Sequence, residues 1–391
     1  MIRTVAVENY RSLRRLILPL DRLTVITGAN GTGKSSLYRS LRLLAESARD
    51  GAVAALAAEG GLPSTIWAGP AAAGRERETR RRLPTGTLPT GPRALRLGFA
   101  GDDLGYAVDF GHPVTVGSTM FGLDPEIKRE WVWGGPVPRP SAQLADRHNS
   151  VVRLRGPDGQ WTVVTQGLRT FDSMLTEIAD PRAAPELFVV REQLRSWRFY
   201  DHLRTDAGAP ARASQIGTRT PVLAHDGSDL AAAVQTIKEI GDVEALDAAV
   251  DLAFPGASLQ IDSLAGRFEL TMRQDGLTRP LRSAELSDGT VRYLLWVAAL
   301  LSPRPPELLV LNEPETSLHS ELLESLAALV LAAAKRCQLV VVSHSAALIA
   351  AIERDGSQVA PSVIELVKDS GQTRLIGQNR LDEPAWTWPS R

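Results

Sequence analysis

The chain has 391 residues, more than one ordinary core accommodates, so we expect two packed lobes. Its 44 Lys and Arg residues nearly balance 45 Asp and Glu residues, and 43% of the residues are hydrophobic. This composition excludes a disordered chain and a histone-like polycation. The single cysteine, Cys337, excludes a disulfide scaffold and fits a reducing compartment. The first residues lack the apolar core of a secretory signal and no apolar run is long enough for a membrane span, so we expect a cytoplasmic protein.

The first half of the chain begins with strand-like segments at residues 4–7, 16–18 and 23–26. A helix is predicted from Ser36 to about Ala57. Two hairpins are predicted around the turns at residues 101–103 and 157–159, with an irregular stretch at residues 131–135 between them.

The second half has helical spacing at residues 171–200 and 229–252, followed by strands at 259–262 and 268–272. The last part alternates apolar strands at 308–311 and 339–342 with helices at 320–334 and 346–352. Alternation of buried strands and helices predicts an α/β fold with a parallel sheet.

The sequence GANGTGKS at residues 28–35 fits the phosphate-loop pattern GxxxxGK[ST] in full, between a predicted strand and a predicted helix. The backbone N–H groups of such a loop surround a nucleotide phosphate, and the helix start adds its positive dipole end. Lys34 can reach the β- and γ-phosphates, and the Ser35 hydroxyl suits Mg²⁺. The predicted ATP-binding residues are Gly28, Ala29, Asn30, Gly31, Thr32, Gly33, Lys34, Ser35 and Ser36.

Two apolar strands deliver polar residues where they end. Asn312 and Glu313 follow the strand at 308–311, and His344 follows the strand at 339–342. Ligands of open α/β sheets bind outside the carboxyl ends of the strands. Glu313 is therefore a candidate base for the water that attacks the γ-phosphate, and His344 a candidate donor to that phosphate; a structural histidine is the alternative.

A third motif, LSDGT at residues 286–290, precedes a strongly apolar helix. Ser287 is a good helix N-cap and Gly289 permits close backbone approach, whereas Asp288 would be unfavourable if it faced a phosphate. Taken alone, the pentapeptide is equally well explained as an ordinary capped helix.

The order of these motifs, with NEPETSLH at residues 312–319, resembles the ABC-type ATPase heads of the RecF and SMC group. The opening VENYRSL at residues 7–13 looks like the first strand of RecF-like proteins, and the chain resembles a bacterial family of predicted RecF-like AAA ATPases. This resemblance implies a P-loop ABC-type head with an antiparallel β layer and an inserted, mostly helical second lobe. The implied divisions are residues 1–168 and 256–391 for the two parts of the head and 169–255 for the lobe.

The resemblance also implies a homodimer in which two subunits enclose two ATP molecules. Ser287, Asp288 and Gly289 of one subunit would then face the phosphate loop of the other, and Ser317, Leu318 and His319 would form the D-loop across the interface. Asn312 stands where such ATPases usually carry a Mg²⁺-associated Asp, so we expect Ser35 and Asn312 at the metal and a slow ATPase. The Q-loop glutamine stays open among Gln143, Gln166 and Gln193.

The insertion lacks the long heptad arms of SMC proteins, and its hairpins and helices are unlike transporter subunits, so no membrane partner is expected. Two arginine groups are candidate DNA contacts: residues 75–82, and a series that includes Arg191, Arg195 and Arg198 on one predicted helical face. The alternative for that face is a solvated surface with paired charges.

Two functions follow from the sequence. The first is an ATP-hydrolysing, ATP-gated dimer that acts on DNA in repair, replication or defence. The second is a regulatory switch subunit whose ATP state controls a separate effector protein, with little DNA contact of its own.

Overall fold

The computed structural model describes residues 1–49, 51–69, 94–113, 120–201, 203–356, 358–378 and 382–388. The predicted arginine group at residues 75–82 lies outside these ranges.

The described residues form ten helices: α1 (Lys34–Glu46), α2 (Ala52–Ala58), α3 (Gly61–Thr65), α4 (Met174–Glu177), α5 (Pro185–Ser196), α6 (Leu230–Ile240), α7 (Val243–Ala253), α8 (Asp288–Leu300), α9 (Leu322–Ala334) and α10 (Ala346–Asp355).

The strands of the described residues are β1 (Ile2–Tyr10), β2 (Leu13–Pro19), β3 (Leu23–Thr27), β4 (Leu95–Gly101), β5 (Leu104–Gly111), β6 (Glu126–Gly134), β7 (Gln143–His148), β8 (Val151–Arg155), β9 (Trp161–Thr165), β10 (Arg198–Tyr200), β11 (Gln215–Ile216), β12 (Ser258–Leu264), β13 (Arg267–Arg273), β14 (Leu281–Arg282), β15 (Leu308–Asn312), β16 (Gln338–Val342), β17 (Ser362–Asp369) and β18 (Gln372–Leu375).

The chain divides into two compact units. We call the first the parallel-sheet unit; it contains Met1, Leu20–Ala29 and Ser196–Glu365. The second, the antiparallel-sheet unit, contains Ile2–Pro19, Asn30–Arg195 and Leu366–Arg391. The divisions predicted at residues 168 and 255 do not coincide with these boundaries, and the helices of the predicted lobe are distributed over both units.

The parallel-sheet unit is built on five parallel strands in the order β10, β15, β16, β3, β17. Strands β15 and β16 are almost continuous runs of apolar residues because both faces of the sheet are covered. Helix α8 packs into the same core and is buried nearly all round, with Trp296 in edge-to-face contact with Tyr200 at 6.3 Å between ring centroids. A second sheet of this unit pairs β11, β12 and β14 antiparallel with β13.

The antiparallel-sheet unit contains an eight-stranded sheet in the order β2, β1, β4, β5, β6, β7, β8, β9. Residues 366–369 of β17 also pair with β18 in this unit. The α/β fold class with an antiparallel β layer, predicted from the sequence, is therefore confirmed.

Both predicted hairpins are confirmed, as β4 with β5 and β8 with β9. The irregular stretch predicted at residues 131–135 is wrong, since Trp131 and Trp133 lie within strand β6 and are fully buried. The helix predicted from Ser36 to Ala57 is two helices, α1 and α2, with Gly51 as the N-cap of the second. The predicted run at 229–252 likewise divides into α6 and α7 around Gly241.

Candidate functional site

Three neighbouring strands bring the predicted site residues to one edge of the parallel sheet. β16 pairs with β3 on one side and with β15 on the other, all in parallel. The segments that follow these strands begin with Gly28 after β3, Ser343 after β16 and Glu313 after β15. The Ser343 backbone N–H donates to the carbonyl of Ile26 at 3.0 Å, and that of Glu313 to the carbonyl of Val342 at 2.7 Å. The start of the phosphate loop, Glu313 and His344 are therefore at adjacent strand ends.

Gly28, at φ 141°, and Ala29 are the part of the phosphate loop that belongs to the parallel-sheet unit. The rest of the loop, from Asn30 onward, belongs to the antiparallel-sheet unit, where Gly31 and Gly33 have φ values of 78° and 110°. These values favour glycine, which lacks the Cβ that would clash with the backbone.

Helix α1 begins at Lys34, with Ser35 and Ser36 in its first turn. Lys34 is buried. A glycine-rich loop that runs into the start of a 13-residue helix presents backbone N–H groups and a positive dipole end to an anion, so the loop fits a nucleotide phosphate.

Two side chains from distant parts of the sequence support the loop within the antiparallel-sheet unit. The Thr373 hydroxyl donates to the Thr32 carbonyl at 2.7 Å, and it lies 2.8 Å from the Ser12 hydroxyl. The Thr373 backbone N–H also donates to the Ser12 carbonyl at 2.9 Å. Thr373 is almost completely buried. Sequence analysis missed this support because neither Ser12 nor Thr373 belongs to a phosphate-binding motif.

The turn after β15 has an unusual backbone. Asn312 is the last residue of β15 and pairs with Val342, while Glu313 adopts a left-handed conformation with φ 49°. A non-glycine residue in that region costs free energy and is found where the surroundings enforce it. The Thr316 backbone N–H donates to the Glu313 carbonyl at 3.0 Å, and the Trp296 indole N–H to the Pro314 carbonyl at 2.9 Å. These bonds hold the turn that carries Glu313, whose carboxylate is partly exposed, at the sheet edge.

Glu315 is a functional candidate that sequence analysis missed. Its buried carboxylate accepts hydrogen bonds at Oε1 from the Ser343 hydroxyl at 2.7 Å and from the backbone N–H groups of His344 and Ser345 at 3.0 and 3.2 Å. It therefore ties the turn after β15 to the turn after β16. Among the described residues, no donor reaches Oε2 of the same carboxylate.

His344 lies between the two carboxylates. Its Nδ1 is 3.6 Å from Oε1 of Glu313 and 3.4 Å from Oε1 of Glu315, and about half of the side chain is exposed. The structure thus brings together Glu313 and His344, as the sequence predicts, and adds Glu315.

The predicted signature motif forms the start of α8. The Ser287 hydroxyl accepts from the Thr290 backbone N–H at 3.1 Å, which is N-cap geometry. Asp288 is neutralised by Arg212, whose guanidinium lies 2.6 Å from Oδ1. Arg212 is buried and also donates to the carbonyls of Thr205, Ser283 and Leu286 at 2.8, 2.9 and 2.7 Å. The sequence alone does not reveal that Arg212 supports this turn, because the residues that it contacts there are more than 70 positions away.

The signature turn contacts the predicted D-loop within one molecule. A Cβ atom added to Gly289 would lie 3.3 Å from the Ser317 carbonyl oxygen, so Gly289 permits this close approach. Ser317 has a left-handed backbone with φ 63°, and the Leu318 backbone N–H donates to the Glu315 carbonyl at 3.0 Å. His319 is largely exposed.

The predicted arginine stripe on one helical face is wrong. Helix α5 ends at Ser196, so Arg198 belongs to strand β10 and does not share a face with Arg191 and Arg195. Arg191 lies 3.1 Å from Glu192, and Arg195 donates to the Ala48 carbonyl at 2.9 Å. The Arg198 guanidinium donates to the Trp197 carbonyl at 3.1 Å.

Among the described residues, no group of three His, Cys, Asp or Glu side chains is arranged to hold a metal ion. Within the same residues, no helix has both the length and the apolar character needed to cross a bilayer.

The site thus combines the start of a phosphate loop, a carboxylate and an imidazole at one edge of the parallel sheet. Two family models match the chain: "AAA ATPase domain" over residues 1–59, and "AAA domain, putative AbiEii toxin, Type IV TA system" over residues 169–350. The first contains the phosphate loop and the second contains the signature motif, Glu313 and His344. The similarity to AAA-type ATPases that the sequence indicates is therefore found in two separate parts of the chain.

Solved structures with a similar fold include three SMC heads. One is an SMC head bound to the C-winged helix domain of ScpA, with 14% identity, 96% of each chain covered and a TM-score of 0.49. The SMC head domain of Thermotoga maritima has 14% identity, 97% and 99% coverage and a TM-score of 0.47. An Smc head with an extended coiled coil, bound to the C-terminal domain of ScpA from Pyrococcus furiosus, has 13% identity, 96% and 95% coverage and a TM-score of 0.47. No curated protein matches the chain.

Proposed function

We propose that the protein binds ATP with Mg²⁺ and hydrolyses it slowly. The observation that carries this proposal is the adjacency of three strand ends, which supply the start of the phosphate loop, Glu313 and His344. The start of a phosphate-binding loop beside a carboxylate and an imidazole is an arrangement that suits γ-phosphate hydrolysis.

Each residue of the site has its own proposed role. The loop N–H groups and Lys34 hold the phosphates and offset their negative charge. The Glu313 carboxylate, fixed by the turn after β15, orients the attacking water and accepts its proton. The His344 imidazole donates a hydrogen bond to the γ-phosphate.

The Ser35 hydroxyl and the Asn312 side-chain oxygen are the proposed metal contacts. When bound, Mg²⁺ offsets the charge that develops on the phosphate oxygens. The chemistry of the donors fits because Mg²⁺ takes oxygen ligands, keeps several waters and is commonly held together with substrate phosphates. Asn312 lacks the negative charge of an Asp, so we expect weaker Mg²⁺ affinity and slow turnover.

We propose further that the active form is a homodimer around ATP. Ser287 caps the exposed start of the 13-residue helix α8, which would face the γ-phosphate held by a second copy. The Arg212–Asp288 ion pair supports this because it offsets a carboxylate at the start of α8 that would repel that phosphate. The exposed His319 and the adjacent Ser317 and Leu318 are the proposed D-loop contacts.

The proposed action of the dimer is on DNA, in repair, replication or defence. The description of the family matched by residues 169–350, which names a toxin of a toxin–antitoxin system, is compatible with defence. The second candidate function, an ATP-dependent switch for a separate effector protein, is favoured by the pairing of surface arginines with this chain's own carboxylates. Arg191 and Arg195 lie 3.1 and 3.6 Å from Glu192, and Arg204 lies 2.7 Å from Asp206.

The test is ATP hydrolysis by the wild type, Lys34→Ala and Glu313→Gln, each without DNA, with duplex DNA and with single-stranded DNA. We expect wild-type hydrolysis that both substitutions abolish. Stimulation by DNA, weakening with added salt, supports the DNA function. Hydrolysis that no DNA stimulates supports the switch function, and a wild type without hydrolysis would refute both.

A further inference from the structure

We propose that Glu315 is a positioning residue for His344. The proposal rests on the proposed ATPase function, but its structural part can be tested without nucleotide. The observation that carries it is that the Glu315 carboxylate, in the turn after β15, bonds three groups of the turn after β16.

Oε1 of Glu315 holds the segment that carries His344. Oε1 accepts from the backbone N–H of His344 itself, from the hydroxyl before it and from the backbone N–H after it. The Ser343 hydroxyl in turn accepts from the Ser345 N–H at 3.1 Å. Hydrogen bonds to an ionised acceptor are stronger than those between neutral groups. The direction in which the chain leaves β16 is therefore fixed by one side chain of the neighbouring turn.

Glu315 also lies close to the imidazole ring of His344. Oε1 of Glu315 also lies 3.4 Å from Nδ1 of His344. A carboxylate beside Nδ1 restricts the orientation of the ring and so the direction of Nε2, which can donate to a phosphate when both ring nitrogens carry protons. Glu315 thus acts on both the backbone and the ring of His344.

This arrangement has a cost in folding stability. Within the described part of the chain, the buried Oε2 of Glu315 has no hydrogen-bond donor. An unsatisfied buried acceptor destabilises the fold, so this cost has to be offset by the three hydrogen bonds that Oε1 accepts. The carboxylate is therefore explained by its bonds to the segment that carries His344.

Glu315 also connects this segment to the D-loop through its backbone, because its carbonyl accepts from the Leu318 N–H at 3.0 Å. The signature glycine Gly289 lies against Ser317, one residue before Leu318. The residue that positions His344 is thus part of the same short turn as the proposed dimer contacts.

The experiment combines hydrogen exchange with kinetics. In the nucleotide-free protein, Glu315→Ala should make the His344 amide exchange about tenfold faster, because it loses its acceptor, and the Ser345 amide severalfold faster, because it keeps only the Ser343 hydroxyl. Glu315→Gln retains an acceptor oxygen and should restore most of the protection. Glu324→Ala, at an exposed glutamate on α9, is the matched control and should exchange like the wild type.

For hydrolysis, Glu315→Ala should lower kcat by between about 10-fold and 100-fold with little change in KM, and Glu315→Gln should recover part of that loss. In a His344→Ala background the same substitution should have no further effect, because its target is gone. An additive effect in that background, or wild-type exchange and kcat in Glu315→Ala, would overturn the proposal.

Two controls keep the proposal separate from folding and from the ATPase function. If Glu315→Ala does not fold, Ser343→Ala removes one of the three bonds that hold Oε1 and should still speed exchange of the His344 amide severalfold, since that amide bonds Glu315 and not Ser343; unchanged exchange would overturn the proposal. If the wild type does not hydrolyse ATP, the proposed function fails and the positioning of His344 as a catalytic donor fails with it. If the wild type hydrolyses ATP and the Glu315 variants have the same kcat and the same amide exchange as the wild type, the positioning proposal is refuted and the ATPase function is not.

Discussion

Substitution of Gly33 by alanine tests how closely the phosphate loop is held by its support. Gly33 has φ 110°, and an added Cβ would lie 2.1 Å from the Thr373 hydroxyl oxygen and 2.9 Å from that of Ser12. Both hydroxyls are part of the support that binds the Thr32 carbonyl. The new methyl group therefore has to displace groups that are themselves hydrogen-bonded.

Two effects contribute to the expected loss of stability. The backbone strain of a side chain at positive φ costs about 1–3 kcal/mol. The forced rearrangement around Thr373 adds about 1–3 kcal/mol, the usual cost of overpacking. Gly31→Ala is the matched control because Gly31 has φ 78° and no described atom lies within 4 Å of the position that an added Cβ would take, so it should incur the strain alone.

The assay is chemical denaturation of nucleotide-free Gly33→Ala, Thr373→Ala and the double variant. Removing the Thr373 hydroxyl relieves the clash, so the double variant should be more stable than the sum of the two single effects by about 1–3 kcal/mol. The reasoning would be refuted if the stability losses of Gly33→Ala and Thr373→Ala were additive in the double variant, or if Gly31→Ala and Gly33→Ala lost the same free energy of unfolding.

Three further predictions follow from the site and the core. Glu313→Gln should retain ATP binding, measured with a fluorescent nucleotide, but lose hydrolysis by about 100-fold or more, because the amide cannot accept the proton of water. Arg212→Gln should weaken ATP-dependent dimerisation about fivefold in sedimentation experiments, since Asp288 loses its neutralising partner at the start of α8, and Asp288→Asn should restore it. Burial raises the pKa of Cys337 to about 11, so the thiolate is scarce at about pH 8 and alkylation by iodoacetamide should be much slower in the folded protein than in urea, with the rate rising as the pH approaches that pKa. Unchanged hydrolysis, unchanged dimerisation or equal alkylation would contradict the respective prediction.

The parts of the site that the sequence predicts are local in the chain. The phosphate loop is flanked by β3 and α1 within a few residues, and the polar residues after β15 and β16 follow obvious apolar runs. Parallel strands then bring these segments to one edge of the sheet. The adjacency of Glu313 and His344 could therefore be expected from pattern alone.

The parts that the sequence does not predict depend on distant contacts. The bond from Thr373 to Thr32 joins residues 341 positions apart, and the bonds of Glu315 join residues about 30 positions apart. Residues 131–133 lack the alternation of a half-buried strand because Trp131, Val132 and Trp133 are all buried in β6. Helical spacing likewise gives no reason for α5 to end at Ser196, where the chain enters the parallel sheet as β10 and removes Arg198 from the predicted stripe.

The central claim is that ATP holds two copies of the chain together. Its most direct test is the mass of Glu313→Gln in solution, measured by analytical ultracentrifugation with and without Mg²⁺ and ATP. Because this variant should bind ATP without hydrolysing it, we expect a shift from monomer to dimer on addition of ATP. Ser287→Arg in the same background should prevent the shift by placing a bulky side chain at the exposed start of α8. A sedimentation profile that ATP leaves unchanged, in a variant shown to bind ATP, would contradict the account.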